Sequence, residues 1–221
     1  MATDRAADLA PFELPARTGG RGWFVVFEGG EGCGKSTQAR LLALRCGALL
    51  THEPGGTRLG TALRRLLLDH DAGDLDRRAE ALLMAADRAQ HVAESIRPSL
   101  EAGRAVVCDR YLGSSVAYQG HGRGLDPGEI RDLSLWATGD LEPDVVVYLV
   151  VGENETLRRT GAPRDAIEAA GTEFHHRVRQ GFESQAEADP DRWVRVDGSG
   201  TVPEVAERVS SALRARLRER S

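Results

Sequence analysis

Lysine is almost missing from this chain: of its 29 basic residues, one is lysine and the other 28 are arginine. A guanine-reading Asn-Lys-x-Asp motif is thereby excluded, because the one lysine follows a glycine, and a regulatory GTPase is excluded with it. Cysteine is sparse as well. Cys33, Cys46 and Cys108 are widely spaced, which gives neither a disulfide framework nor a zinc-ligand pattern, and a reducing cytoplasm is the expected compartment. Aromatic residues make up 5% and the net charge is −5, with no arginine-rich block interleaved with aromatics, so no affinity for nucleic acid is expected. No apolar run approaches the roughly 18 residues of a membrane span. The six histidines form no H-E-x-x-H spacing, and the His175-His176 pair falls in a polar helical pattern that reads as solvated. Residues 1–22 contain Asp4, Asp8 and Glu13 and no apolar stretch, which argues against a targeting peptide. They are read as a flexible tail ahead of a single domain over 23–221.

What is present is an alternation of short β-rich runs with longer helical patterns, the signature of an α/β fold with a parallel sheet wrapped by helices. Five strands are expected: Trp23 to Glu28, Ala48 to Thr51, Ala105 to Cys108, Val145 to Val151 and Trp193 to Val196. The helices expected between them are Lys35 to Cys46, Thr57 to Leu68, Asp76 to Glu101, Pro127 to Thr138, Asp165 to Glu187 and Pro203 to Arg220, with apolar residues at three-to-four spacing.

The solitary lysine sits where this alternation makes it informative. Lys35 completes G-x-x-x-x-G-K-[ST] with Gly29, Gly34 and Ser36, directly after the buried-strand pattern WFVVFEG and at the start of a helix. In that context the loop's N–H groups cradle a phosphate chain, the helix N-terminus adds positive potential, and the compact ammonium reaches the outer phosphates. Arginine's broad planar fork would not fit the same cradle. A second apolar run, AVVCDRY at 105–111, delivers Asp109 to the carboxyl edge of the sheet, where Mg²⁺ would sit beside Ser36. Arg110 follows, with a guanidinium able to grip phosphate oxygens of two substrates. The chain is short for a motor ATPase, which leaves a small kinase for a small acceptor.

The segments FEGGEGCGKSTQ, EPGGTRLGTALRRLLLD, AADRAQHV, CDRYLGSSVAYQGHGRGL and EPDVVVYLVV resemble, in order and spacing, the thymidylate kinase family over about residues 23 to 200. The resemblance implies a P-loop kinase fold with a five-stranded parallel sheet and a short mobile lid. It also implies transfer of the ATP γ-phosphoryl to dTMP with Mg²⁺, and a homodimer packed through helices. By the same resemblance Gly29, Gly30, Glu31, Gly32, Cys33, Gly34, Lys35, Ser36 and Thr37 would bind ATP, and Ser36 and Asp109 would hold the metal. Lys35 and Arg110 would be catalytic. Glu31 would accept from the sugar 3′-hydroxyl, Arg88 would meet the base carbonyl, Ser115 would face the base edge, and Tyr118 would close over the sugar where a 2′-hydroxyl would go. His52, Glu53, Pro54, Met84 and Gln119 complete the expected acceptor site.

A subclass of the family that lacks a P-loop arginine supplies one from the lid. Here Glu31, Gly32 and Cys33 leave no such arginine, and the expected lid over 152–165 offers Arg159 and Arg164. Four positions depart from the usual pattern: Met84 replaces an aromatic, His52 a basic residue, Val150 an acidic one, and Ala166 an arginine. Two alternatives stand beside the dTMP reading. One is a kinase of the same fold for another deoxynucleoside monophosphate, and the other is a nucleotide-binding regulator without turnover.

Overall fold

The computed structural model describes residues 10–17, 19–68, 75–160 and 171–220. Five strands, β1 (Phe24–Glu28), β2 (Leu49–His52), β3 (Val106–Asp109), β4 (Val145–Val150) and β5 (Trp193–Asp197), form one parallel sheet in the order β2-β3-β1-β4-β5. All five lie within a residue or two of the sequence expectation. Strands covered on both faces read as continuous apolar runs, and FVVFE and VVVYLV do. Along β1 the side chains alternate: Phe24 and Val26 enter one core layer, Val25 and Phe27 the other.

Helices cover both faces. α1 (Lys35–Cys46) and α9 (Val202–Arg218) pack on one side, where Leu42, Val205, Val209, Leu213 and Leu217 meet Val25, Phe27 and Val147. On the other side lie α3 (Arg77–His91), α4 (Arg97–Glu101), α5 (Leu112–Ser115) and α8 (Thr172–Ala188), and Leu100, Leu112, Phe174 and Phe182 from them meet Phe24, Val26 and Tyr148. α2 (Arg58–Leu68), α6 (Pro127–Thr138) and α7 (Glu153–Thr160) complete the set among the described residues. Within those residues no helix is long and apolar enough to cross a membrane.

Four expectations need correction or refinement. The helix expected over Asp76 to Glu101 is interrupted by a π-turn at Val92–Ile96. Pro98 lies just beyond it and cannot donate to the preceding turn, so the backbone widens there and restarts as α4. No helix is among the sequence expectations for residues 112–122, yet they are helical, α5 continuing as a π-helical turn over Val116–Gly122. Glycine weakens helix propensity, but here it lets α8 approach, since a Cβ at Gly122 would lie 2.6 Å from Phe174. The helix expected from Asp165 is described only from Thr172, and the described part of the expected lid forms α7.

The flexible-tail expectation for 1–22 fails over the described part of that segment. Phe12 is 2% exposed inside the α1–α9 core layer. Its N–H donates to Arg45 O at 3.1 Å, and the guanidinium groups of Arg45 and Arg214 lie 5.9 and 5.3 Å from its ring centroid. Trp23 Nε1 donates to Pro15 O at 2.8 Å, and Arg17 pairs with Asp144 at 2.7 Å. One aromatic anchor among prolines carries no periodicity, which is why the sequence pattern hid it. Phe12→Ala is expected to lower stability by about 3 kcal/mol, as for other buried Phe truncations, with turnover unchanged. Denaturant midpoints test this, and a loss below about 0.5 kcal/mol, the range of ordinary surface changes, would show that the segment does not pack.

Candidate active site

The site is built at the carboxyl edge of the two central strands. After β1 the chain turns through Gly29–Gly34 into α1. Gly29 has φ +142° and a Cβ there would lie 2.5 Å from Leu149 O, while Gly34 enters the helix at φ +95°. Both conformations favour glycine. α1 begins at Lys35, so its N-terminal partial charge faces the loop. Lys35 Nζ donates to Gly30 O at 2.7 Å and lies 3.6 Å from Cys33 Sγ. A cleft of about 600 Å³ on this side is lined by Glu31 to Gln38, Arg159, Gly198, Gly200, Thr201, Val202 and Val205.

Arg159, from α7, donates to Gly198 O at 3.1 Å and Gly32 O at 3.5 Å and pairs with Glu155. It therefore lies against the outer wall of the loop. Arg158 is exposed on the same helix. Arg164, the other lid candidate, lies outside the described residues.

β3 brings Asp109 beside the loop. Ser36 Oγ donates to Asp109 Oδ2 at 2.5 Å, and Asp109 Oδ1 is buried with no hydrogen-bond partner. Among the described residues no cluster of three His, Cys, Asp or Glu side chains could cage a metal on its own. The Ser36–Asp109 pair is thus an incomplete set of hard oxygen donors, open to ligands from elsewhere.

Next to it, Arg110 sits at φ +70°, a conformation that a branched or long side chain rarely adopts and that costs on the order of 1–3 kcal/mol. Its Nη2 donates to Glu31 and, at 3.1 Å, to the Tyr118 hydroxyl; its Nη1 donates to Gly29 O and Ser114 Oγ, each at 3.1 Å. The Tyr118 hydroxyl donates to Glu31 Oε1 at 2.8 Å. Burial alone would raise the Glu31 carboxyl, but the Arg110 and Lys35 charges and the Tyr118 hydrogen bond outweigh it and bring it down to about 2. Burial raises the Tyr118 phenol well above its ordinary value.

A larger cleft of about 820 Å³ opens on the α3 side, and all ten residues expected at the acceptor site line it: Glu31, His52, Glu53, Pro54, Met84, Arg88, Arg110, Ser115, Tyr118 and Gln119. Its deepest cation is Arg88, buried, whose Nε donates to Glu53 Oε2 at 2.7 Å, Nη1 to Ser134 Oγ at 3.1 Å and Nη2 to Ser115 Oγ at 3.0 Å. Glu53 Oε1 also meets His91 Nδ1 at 3.0 Å, and His91 Nε2 meets Thr51 Oγ1 at 2.6 Å. Removing either partner of so buried an ion pair typically costs about 3–5 kcal/mol.

Gln119 Nε2 donates to the buried Glu80 at 2.8 Å. Burial and the nearby Arg64 charge lower His52, while burial and Glu53 raise Asp87 to about 6. Met84 is half-buried in the wall. Sequence reasoning missed Arg40, Thr51, Arg64 and Ser114 in this cleft, and Thr201 and Val202 in the other. Arg64 and Ser114 fall inside segments that carry the family resemblance but were assigned no role there, and Arg40, Thr51, Thr201 and Val202 lie outside those segments. It also missed Glu28, although an acidic residue ending an apolar strand is the same signal that located Asp109.

Comparison with known proteins bears on this geometry. The sequence model of the thymidylate kinase family matches residues 27–209. The chain is 49% identical over 204 residues to the thymidylate kinase of Leifsonia xyli subsp. xyli, covering 89% of this chain and 96% of that one. It is 49% identical over 193 residues to the thymidylate kinase of Cutibacterium acnes, covering 85% and 94%. The crystal structure of thymidylate kinase from Ehrlichia chaffeensis superposes with a TM-score of 0.73 at 32% identity, covering 88% of this chain and 99% of that one. With the P-loop, the Glu53-Pro54-Gly55-Gly56 turn and the Asp109-Arg110-Tyr111 turn converging on adjoining clefts, the chain belongs to the thymidylate kinase family.

Proposed function

We propose that the protein transfers the γ-phosphoryl group of ATP to dTMP, giving dTDP and ADP. The observation that carries this reading is that Glu31, Lys35 and Ser36 line both clefts, so a donor in the smaller and an acceptor in the larger meet at one wall. An acceptor phosphate oxygen is already anionic and needs no general base. It attacks the γ-phosphorus as the bond to the β–γ bridging oxygen breaks, and the bond electrons leave with ADP. The protein's contribution is alignment and neutralisation of charge. Lys35 stabilises the moving phosphoryl and Arg110 bridges the two phosphate chains.

Glu31 and Tyr118 read the sugar. Arg88 and Ser115 meet the base edge, Met84 covers a base face, and His52, Glu53, Pro54 and Gln119 complete the pocket. Arg159, with Arg164, supplies the lid cation. The Ser36 hydroxyl and the unpartnered Asp109 oxygen suit Mg²⁺, the remaining positions going to phosphate oxygens and water. When bound, the ion would neutralise charge on the transferring phosphates.

A homodimer through α2 and α3 is part of the proposal, supported by the exposed Leu59, Leu66 and Leu82 on these two packed helices. Sedimentation at micromolar concentration should give twice the 23.9 kDa chain mass, and a monomer would remove this element. A reducing, cytoplasmic setting is proposed on the strength of three free cysteines.

ADP release with Mg-ATP against a panel of monophosphates tests substrate choice. The highest kcat/KM is expected for dTMP over its ribo analogue, dUMP and dCMP. Base–aromatic stacking contributes on the order of 1–3 kcal/mol, part of which methionine already supplies, so Met84→Phe should tighten dTMP a few-fold. A different preferred nucleotide, harmed by the phenylalanine while dTMP improves, would replace this reading with that of a kinase for a bulkier base.

A further inference from the structure

β1 ends in a carboxylate that lines neither cleft at the P-loop. Glu28 is 1% exposed, and the hydrogen bonds it accepts come from the segment after β3. Its Oε1 accepts from Tyr111 N at 3.0 Å and Ser114 N at 2.9 Å, and its Oε2 accepts from Ser114 Oγ at 2.6 Å. The chain of contacts continues: Ser114 Oγ accepts from Arg110 Nη1 at 3.1 Å, and that same nitrogen reaches Gly29 O. Between these anchors lies the Arg110 backbone at φ +70°, held by its N–H to Phe27 O at 2.9 Å. A residue persists in so sparsely populated a conformation only where its surroundings over-determine it. Burial pushes Glu28 up to about 7 against the pull of the Ser114 and Tyr111 hydrogen bonds and the Arg110 charge, so an ionisable group is kept here at a cost an apolar residue would not incur.

We infer that Glu28 is a positioning residue for phosphoryl transfer: it locks the Arg110–Ser114 turn through both amides and, through the Ser114 hydroxyl, fixes where the Arg110 guanidinium points. The inference rests on the reading of Arg110 as the phosphate-bridging group. Glu28 touches no substrate in this account. Its effect is felt only where alignment matters, and a displacement of about 1 Å at a reacting group can slow an enzyme on the order of 10²-fold.

Glu28→Gln tests it. The glutamine keeps one oxygen for the two amides but presents an N–H donor to the Ser114 hydroxyl, which removes the acceptor for that O–H and frees the hydroxyl that anchors Arg110 to turn away. With Mg-ATP and dTMP, kcat is expected to fall by about 10- to 100-fold while both KM values stay within about 3-fold, the split expected when alignment in the transition state is lost. Ser114→Ala should reproduce part of that loss. Because the three residues form one chain, Glu28→Gln combined with Arg110→Ala should be no slower than Arg110→Ala alone. Parental kcat in both Glu28→Gln and Ser114→Ala, or losses that multiply in the double variant, would overturn the inference by showing that Glu28 acts apart from Arg110. Should Glu28→Gln fail to fold, the Ser114→Ala and Arg110→Ala cycle decides on the same criteria. Full turnover in Arg110→Ala would instead overturn the reading of Arg110 itself, and is distinguishable from the other results.

Discussion

Two phosphorylated anions must be brought into contact at the edge of this sheet, and their mutual repulsion is the constraint the rest of the site answers. The parallel order of the strands sends β1 and β3 side by side to one edge, where their carboxyl ends release the P-loop and the Asp109–Tyr111 turn. The α1 N-terminus, Lys35 and Arg110 then concentrate positive charge at one wall of the larger cleft. Without compensation such a cluster would repel itself. Glu31 supplies that compensation: it pairs with Arg110, and the charges of Arg110 and Lys35 bring its carboxyl down to about 2 despite burial. Both cations are thereby held in place by local acceptors, Gly30 O for Lys35 and Glu31 for Arg110.

The same logic separates the two clefts by chemistry. On the smaller side the lining is the glycine-rich loop with Lys35, Arg159 from α7 and the start of α9, a setting that suits a phosphate chain approaching a helix N-terminus. The larger side is walled by α3, where Arg88 presents a guanidinium already committed to Glu53, Ser134 and Ser115. In the proposed acceptor pocket, a side chain tied by so many bonds would lose little further freedom when a base arrives, a means of selecting by geometry more than by raw attraction.

The parts legible in the sequence were those with a local physical signature. Central strands are unbroken apolar runs, and the phosphate loop must combine glycine freedom with a lysine, so both stand out. The ten residues expected at the acceptor site could be proposed because several short motifs occur in order, and their meeting in one cleft follows from the sheet topology that the alternation implied. Other features depend on contacts distant in sequence. The helix over 112–122 forms in spite of its glycines because α8 packs on them. Phe12 is fixed by Arg45 and Arg214, more than thirty and about two hundred residues away. Glu28 works through Ser114, whose motif gives no sign of a carboxylate partner 86 residues away, and the π-turn before Pro98 shifts the helix phase in a way periodicity alone cannot resolve.

At the centre of this account is the claim that one compact ammonium is required where every other basic position accepts arginine. Steady-state kinetics of Lys35→Arg with Mg-ATP and dTMP measure it directly. Removal of one preorganised charge from a transition state typically slows turnover by about 10²–10³-fold, and kcat is expected to fall that far because the planar guanidinium cannot occupy the position over Gly30 O. Folding should be unaltered. Near-parental kcat in a fully folded Lys35→Arg protein would contradict the account, leaving the solitary lysine without a chemical role.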